Sequence, residues 1–189
     1  VTDPGQKTKN CWTGSGIVQK LASPILIALQ YGLGSLISFS VALLFSRDII
    51  HITSGTAMIG ALWAMITFIS VTQDCRSSTQ DTARLQVLGA FLGAVLSGIF
   101  LITFPFSIPG MACLIGLVVL LCQVLGMPGP ARLAALTVGI VMVISAINPN
   151  IPPVVNAMTR FLEVLIGSTV AIGIVCVWQY LPGNSGKTG

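Results

Sequence analysis

Two arginines and one glutamate carry most of the chemistry this chain could do. Arg160 and Glu163 stand three residues apart in "TRFLEVLIGSTVAIG" (159–173), and Arg84 opens "ARLQVLGAFLGAVLSG" (83–98). Each arginine stands at the mouth of a long apolar run in which small residues follow four apart. A guanidinium presents its N–H donors as a planar fork that matches a carboxylate bidentately. Arg84 therefore either contacts an anion or snorkels to the headgroups from a helix mouth. Arg160 either contacts an anion or pairs with Glu163, its neighbour one turn on. Glu163 lies well inside an apolar run, about 4.5 Å deeper than Arg160 at the rise of an α-helix. Charge is costly at such depth and is normally met by a partner or a cavity. Beyond a plain ion pair, Glu163 is a candidate to take up a proton when another anion displaces it from the arginine.

The elements that hold these residues follow from composition. Nine basic and five acidic residues among 189, with 54% hydrophobic, leave far too little charge to cover a water-soluble surface. Mean hydropathy is +0.94. The chain is expected to be an integral membrane protein with the lipid bilayer as its first partner. The net charge of +4 comes without a basic stripe interleaved with aromatics, so no nucleic-acid partner is expected.

Six runs approach the roughly 20 residues needed to cross a bilayer core. They cover about 24–46, 52–72, 85–106, 109–127, 131–148 and 160–181, and their continuity favours helices over barrel strands. An all-α membrane domain over 24–182 is expected, with a polar segment at 1–23 and a short polar tail at 183–189. Breaks fall at "SRDIIH", "QDCRSSTQD", "FSIPG", "GMPGP" and "NPNIPP". Lys7, Lys9, Lys20, Arg76, Arg84, Arg132 and Lys187 fall on one side of the membrane, against Arg47 and Arg160 on the other. This bias places both termini in the cytoplasm.

An internal repeat is legible. "ISVTQDC" (69–75) aligns with "ISAINPN" (144–150), and Gly89-x3-Gly93 with Glu163-x3-Gly167, at offsets of 74 to 77 residues. Three spans used twice must sit inverted, with repeats over about 24–106 and 109–182, a plan that recurs in transporters. Gly89, Gly93 and Ser97 share one helix face, as do Gly167 and Ala171. Such ladders let helices approach closely where lipid gives no hydrophobic drive for association. They serve packing alone or a seam that slides in gating. Gln73 and Asn148, at equivalent ends of the two units, are candidates to cap helices or line a vestibule.

Enzyme motifs are absent: there is no P-loop, GxSxG, HExxH or pair of carboxylates in one span. Cys11, Cys75, Cys113, Cys122 and Cys176 show no CxxC and no histidine at ligand spacing, so neither a metal site nor a cofactor is expected. His51 reads as an interfacial or cap residue.

With these motifs in place, "GALWAMITFISVTQDCRSSTQDTARLQVLGAFLGAVLSG" (60–98) resembles the membrane half of the fusaric acid resistance and aromatic acid exporter superfamily. The resemblance rests on Trp63-Ala64-Met65-Ile66-Thr67, then Arg84, then the step from Gly89 to Gly93, and on "RFLEVLIGSTVA" (160–171). It is similar also to the plant aluminium-activated malate channels. It implies a six-helix domain in a bacterial inner membrane that exports organic anions such as aromatic carboxylates, working as a homodimer. Arg84, Arg160, Trp63 and Thr67 are then the expected substrate contacts, with Trp63 and Thr67 along an aromatic path and Glu163 as the proton-coupling candidate. Two other readings stay open: a passive dimeric anion channel, and a non-transporting subunit that needs a partner chain with a soluble domain.

Overall fold

Proline and glycine set the helix ends in the second half of the chain. Ser107 caps α4 (Ile108–Val124), its side chain accepting from the Gly110 backbone N–H at 3.2 Å, with Pro109 in the first turn. Gly126, at φ 70°, ends the same helix in the left-handed conformation that glycine adopts without strain. Backbone bonds from Gly126 to Gln123 and from Met127 to Cys122 close that cap. Prolines then start α5 (Pro128–Ile147) and α6 (Pro153–Tyr180), where a missing N–H costs nothing.

The computed structural model describes residues 17–49, 54–73 and 76–180. The first half contributes α1 (Ile17–Leu44), which runs into a π-helical turn at Phe45–Ile49, then α2 (Ser54–Val71) and α3 (Arg76–Thr103). Every regular element among the described residues is helical. Five helices are long and apolar enough to cross a membrane, and the sixth, α4, is apolar but spans 17 residues. The chain is a multi-pass membrane protein. Its outer surface fits that medium, with Leu36, Ile69, Ile99, Leu120 and Val177 all exposed. Most of the terminal segment expected at 1–23, all of the tail at 183–189, and His51, Cys11 and Cys75 lie outside the described residues.

Three helices start well before their apolar runs. α1 starts at Ile17, α3 at Arg76 and α6 at Pro153, where the runs begin at 24, 85 and 160. Backbone groups near the bilayer must bond internally whatever side chains they carry, so the polar turns of "RSSTQDTARL" and "PVVNAMTRFL" stay helical. Thr79 ties the α2–α3 link, its hydroxyl meeting both the backbone N–H and the carbonyl of Gln73 at 3.1 and 3.3 Å. Arg160 is consequently not at a helix mouth. It lies about 10 Å along α6.

α3 and α6 form the centre. They run antiparallel, with Phe91 edge-on to Phe161 at 5.6 Å and Gly98 facing Ala157. α3 also packs along α5, and α6 along α2, while α1 and α4 cover α2 and α5. The two seams share one construction. On α3, a Cβ at Gly93 would meet the Ala134 carbonyl at 2.5 Å and Thr137 Cβ at 2.8 Å. On α6, one at Gly167 would meet the Ala64 carbonyl and Thr67 Cβ, the latter at 2.9 Å. Residue numbers rise together along both seams, so α2 runs parallel to α6 and α3 to α5. Ser97, fully buried, returns its hydroxyl to the Gly93 carbonyl at 2.7 Å, and Ala171 packs with Phe68, Val71 and Ala83.

Candidate functional site

The helical rise places Arg160 and Glu163 on one face of α6, and that face is turned inward. Both side chains are buried, and Arg160 Nη1 approaches Glu163 Oε2 at 2.7 Å. Desolvating two charges is expensive unless their remaining donors and acceptors are met. Here they are not. Among the described residues, Arg160 Nε and Nη2 and Glu163 Oε1 have no hydrogen-bond partner, and the close Nη1–Oε2 approach is not itself aligned as a hydrogen bond.

α2 makes room for this pair. A Cβ at Gly60 would overlap the Glu163 carboxylate and reach within 3.0 Å of Arg160 Nη1. Any other residue at 60 would displace the charges, so the glycine is needed for close approach rather than for backbone freedom. From the third side comes Ser46, fully buried in the π-helical turn after α1, beside the Glu163 carboxylate but without an aligned hydrogen bond. The site is thus assembled from α2, α6 and the end of α1.

Trp63 and Thr67 continue the α2 face that begins at Gly60. Trp63 is half-buried and Thr67 fully so, and neither Trp63 Nε1 nor Thr67 Oγ1 has a partner among the described residues. Other hydroxyls in this chain behave differently. Ser70, Thr72, Ser97, Thr103, Thr137 and Thr159 all return theirs to the carbonyl four residues back. The arrangement offers a buried cation, a carboxylate beside it and unpartnered N–H and O–H donors, the set that an anion accepting hydrogen bonds requires.

Arg84 is elsewhere. Its side chain is 79% exposed and stands 4.0 Å from Asp81. It lines a separate groove with Leu165, Ser168 and Thr169 of α6, beyond Glu163 in the direction away from Arg160. The reason lies in the register. Aligning Gly89 with Glu163 sets Gln86, and not Arg84, opposite Arg160, and Gln86 is the buried one. The two arginines therefore do not converge on one point.

The fusaric acid resistance protein-like family matches residues 37–174. This chain belongs to that family. No curated relative and no solved structure matches it. Membership points the chain to a role connected with membrane transport. The matched span contains Ser46, Gly60, Trp63, Thr67, Arg160 and Glu163, the whole of the site built above.

Ser46, Gly60 and Gln86 escaped the sequence reading, as did Asn156, whose amide bonds the Val141 carbonyl at 2.9 Å and Ser145 Oγ at 2.8 Å. Gly60 and Gln86 had a signal: the first begins the Gly60-x3-Ala64 step, and the second follows from the repeat offset. Ser46 had none, because it falls where an apolar run meets "RDII".

Proposed function

We propose that this chain moves small organic anions, aromatic carboxylates foremost, out across the bilayer, with Arg160 as the anion contact. One observation carries the reading: a guanidinium buried in a transporter-family membrane domain keeps two of its nitrogens without partners beside a single carboxylate. An arriving carboxylate competes with Glu163 for the fork. Glu163 then takes up a proton, so that the site gains an anion and a proton together and its net charge does not change. Trp63 and Thr67 line the approach on α2.

The reading includes six spans in an inverted 3+3 arrangement, with both termini cytoplasmic and the protein in a bacterial inner membrane. It is supported by the exchange of seams, since α3 meets α5 as α6 meets α2. A homodimer is part of the same proposal.

The test is flux of a labelled aromatic carboxylate from proteoliposomes, with and without an imposed pH gradient, for wild type and Arg160→Ala. Uphill flux driven by a gradient that is acid on the side the anion leaves, since anion and proton load together, and lost in Arg160→Ala, is the expected result. Downhill flux indifferent to the gradient would replace the coupled carrier by a passive channel. Absence of flux from folded wild-type protein would overturn the reading and point to a subunit that needs a partner chain.

A further inference from the structure

The groove beside Arg84 has no part in the site above, and its construction suits a different ligand. It is an open cleft of about 580 Å³ between α3 and α6, lined by Gln80, Val87, Leu88, Leu165 and Ser168 besides Arg84. Ser168 is nine-tenths buried or more, and its hydroxyl has no partner among the described residues. It does not return to the carbonyl four residues back as the hydroxyls of Ser97 and Thr159 do. Asp81 offsets Arg84 only loosely, at 4.0 Å and with both side chains largely exposed. The walls are apolar and open sideways, where Leu88 stands 46% exposed on the surface that faces lipid.

The other end of the α3–α6 crossing shows what closes such a cleft. The repeat offset of 74 residues sets Val87 against Phe161 and Phe91 against Leu165. Phe91 and Phe161 meet edge to face at 5.6 Å, while Val87 and Leu165 leave the groove open. The crossing is plugged by two rings at one end and unplugged at the end that carries the arginine.

From these observations we infer that the groove binds an anionic phospholipid, its phosphate at Arg84, a glycerol or ester oxygen at Ser168, and an acyl chain along Val87, Leu88 and Leu165. Charge decides for a lipid over a soluble anion. Arg84 lies with Arg76 and Arg132 on the side that holds most of the basic residues, where the positive-inside bias places the anionic leaflet. The cleft opens toward the bilayer and not toward the buried pair.

The probe is phosphatidylglycerol against phosphatidylcholine, titrated onto the purified full chain in detergent and read by native mass spectrometry. Wild type should retain one phosphatidylglycerol per chain with at least fivefold preference over phosphatidylcholine. Arg84→Gln should reduce that preference to about one, Arg84→Lys should keep part of it, and Arg132→Gln should leave it intact. The double variant Val87→Phe/Leu165→Phe keeps the charge but copies the plug of the opposite end, and should lose the bound lipid. Melting curves of the same samples identify any variant that fails to fold, in which case the remaining variants decide. Equal retention by wild type and the plugged protein would overturn the proposal. So would release of the lipid by millimolar benzoate, which would make the groove a site for the transported anion.

Discussion

The α3–α5 and α2–α6 seams are built alike and differ in what they carry. Both rest on a glycine pressed against a backbone carbonyl and a threonine, Gly93 on Ala134 and Thr137 in one, Gly167 on Ala64 and Thr67 in the other. One turn back along the central helices the likeness ends. α3 has Gly89, close to the Pro130 carbonyl, and buried Gln86, where α6 has Glu163 and Arg160. Thr137 returns its hydroxyl to Leu133 at 3.0 Å, whereas Thr67 does not bond within the described residues. A packing device common to both seams cannot be the source of chemistry found in one of them. The small-residue ladders hold the helices together, and in the proposed function it is the charged pair with its unpartnered neighbours that handles the anion.

The largest effects should come from the pair itself. Removing one partner leaves the other charge buried and alone, which typically costs about 3–5 kcal/mol. Glu163→Ala and Arg160→Ala should each destabilise by that order in detergent unfolding. The double variant Arg160→Met/Glu163→Leu should recover most of the loss, because a well-packed apolar pair is often neutral against an ionic one. It should still carry no anion. Recovery of stability together with flux would remove the pair from the mechanism and leave the two seams equivalent.

The glycines come next. An added methyl at Gly93 or Gly167 meets backbone, which cannot swing aside, and overpacking of this kind costs about 1–3 kcal/mol. Gly93→Ala and Gly167→Ala should therefore lose similar stability. Their flux should differ, with Gly167→Ala the slower, since it shifts α6 against α2 beside the site. Gly60→Ala meets the end of a flexible carboxylate and should cost less stability than either, yet reduce flux by tenfold or more. Equal flux losses in Gly93→Ala and Gly167→Ala would show both seams moving together in transport.

How much of this was legible in the sequence depends on what kind of property is asked for. Apolar length is read along one dimension, so the runs that became α1 to α6 could be recognised, α4 falling short of a full span, as could Arg160 and Glu163 as neighbours on one face. Helix starts were misjudged where polar turns stay helical for the sake of their backbone bonds. Which faces meet is a property of three dimensions. Gly60 shows its purpose only once Glu163 is opposite, and Ser46 only once the π-helical turn places it there. Arg84 misled because two arginines near similar ladders look equivalent, while the register that sets Gln86 against Arg160 separates them by two residues. Two residues on a helix turn a side chain through more than half a circle, enough to exchange the interior for the lipid face.

The smallest and sharpest test compares the two threonines. Valine keeps the shape of each side chain and removes the hydroxyl. At Thr137 that deletes a bond to Leu133, and a net loss of about 1 kcal/mol is expected. At Thr67 no such bond exists among the described residues, and a buried hydroxyl without a partner is itself unfavourable, so Thr67→Val should be neutral or slightly stabilising. Transport should rank the other way. Thr67→Val removes a donor from the approach to Arg160 and should lower flux several-fold, and Thr137→Val should leave it near wild type. Stability lost at one threonine and flux lost at the other would separate packing from function in two seams that share the same geometry. Loss of both properties at Thr67 would mean that its hydroxyl already serves the fold.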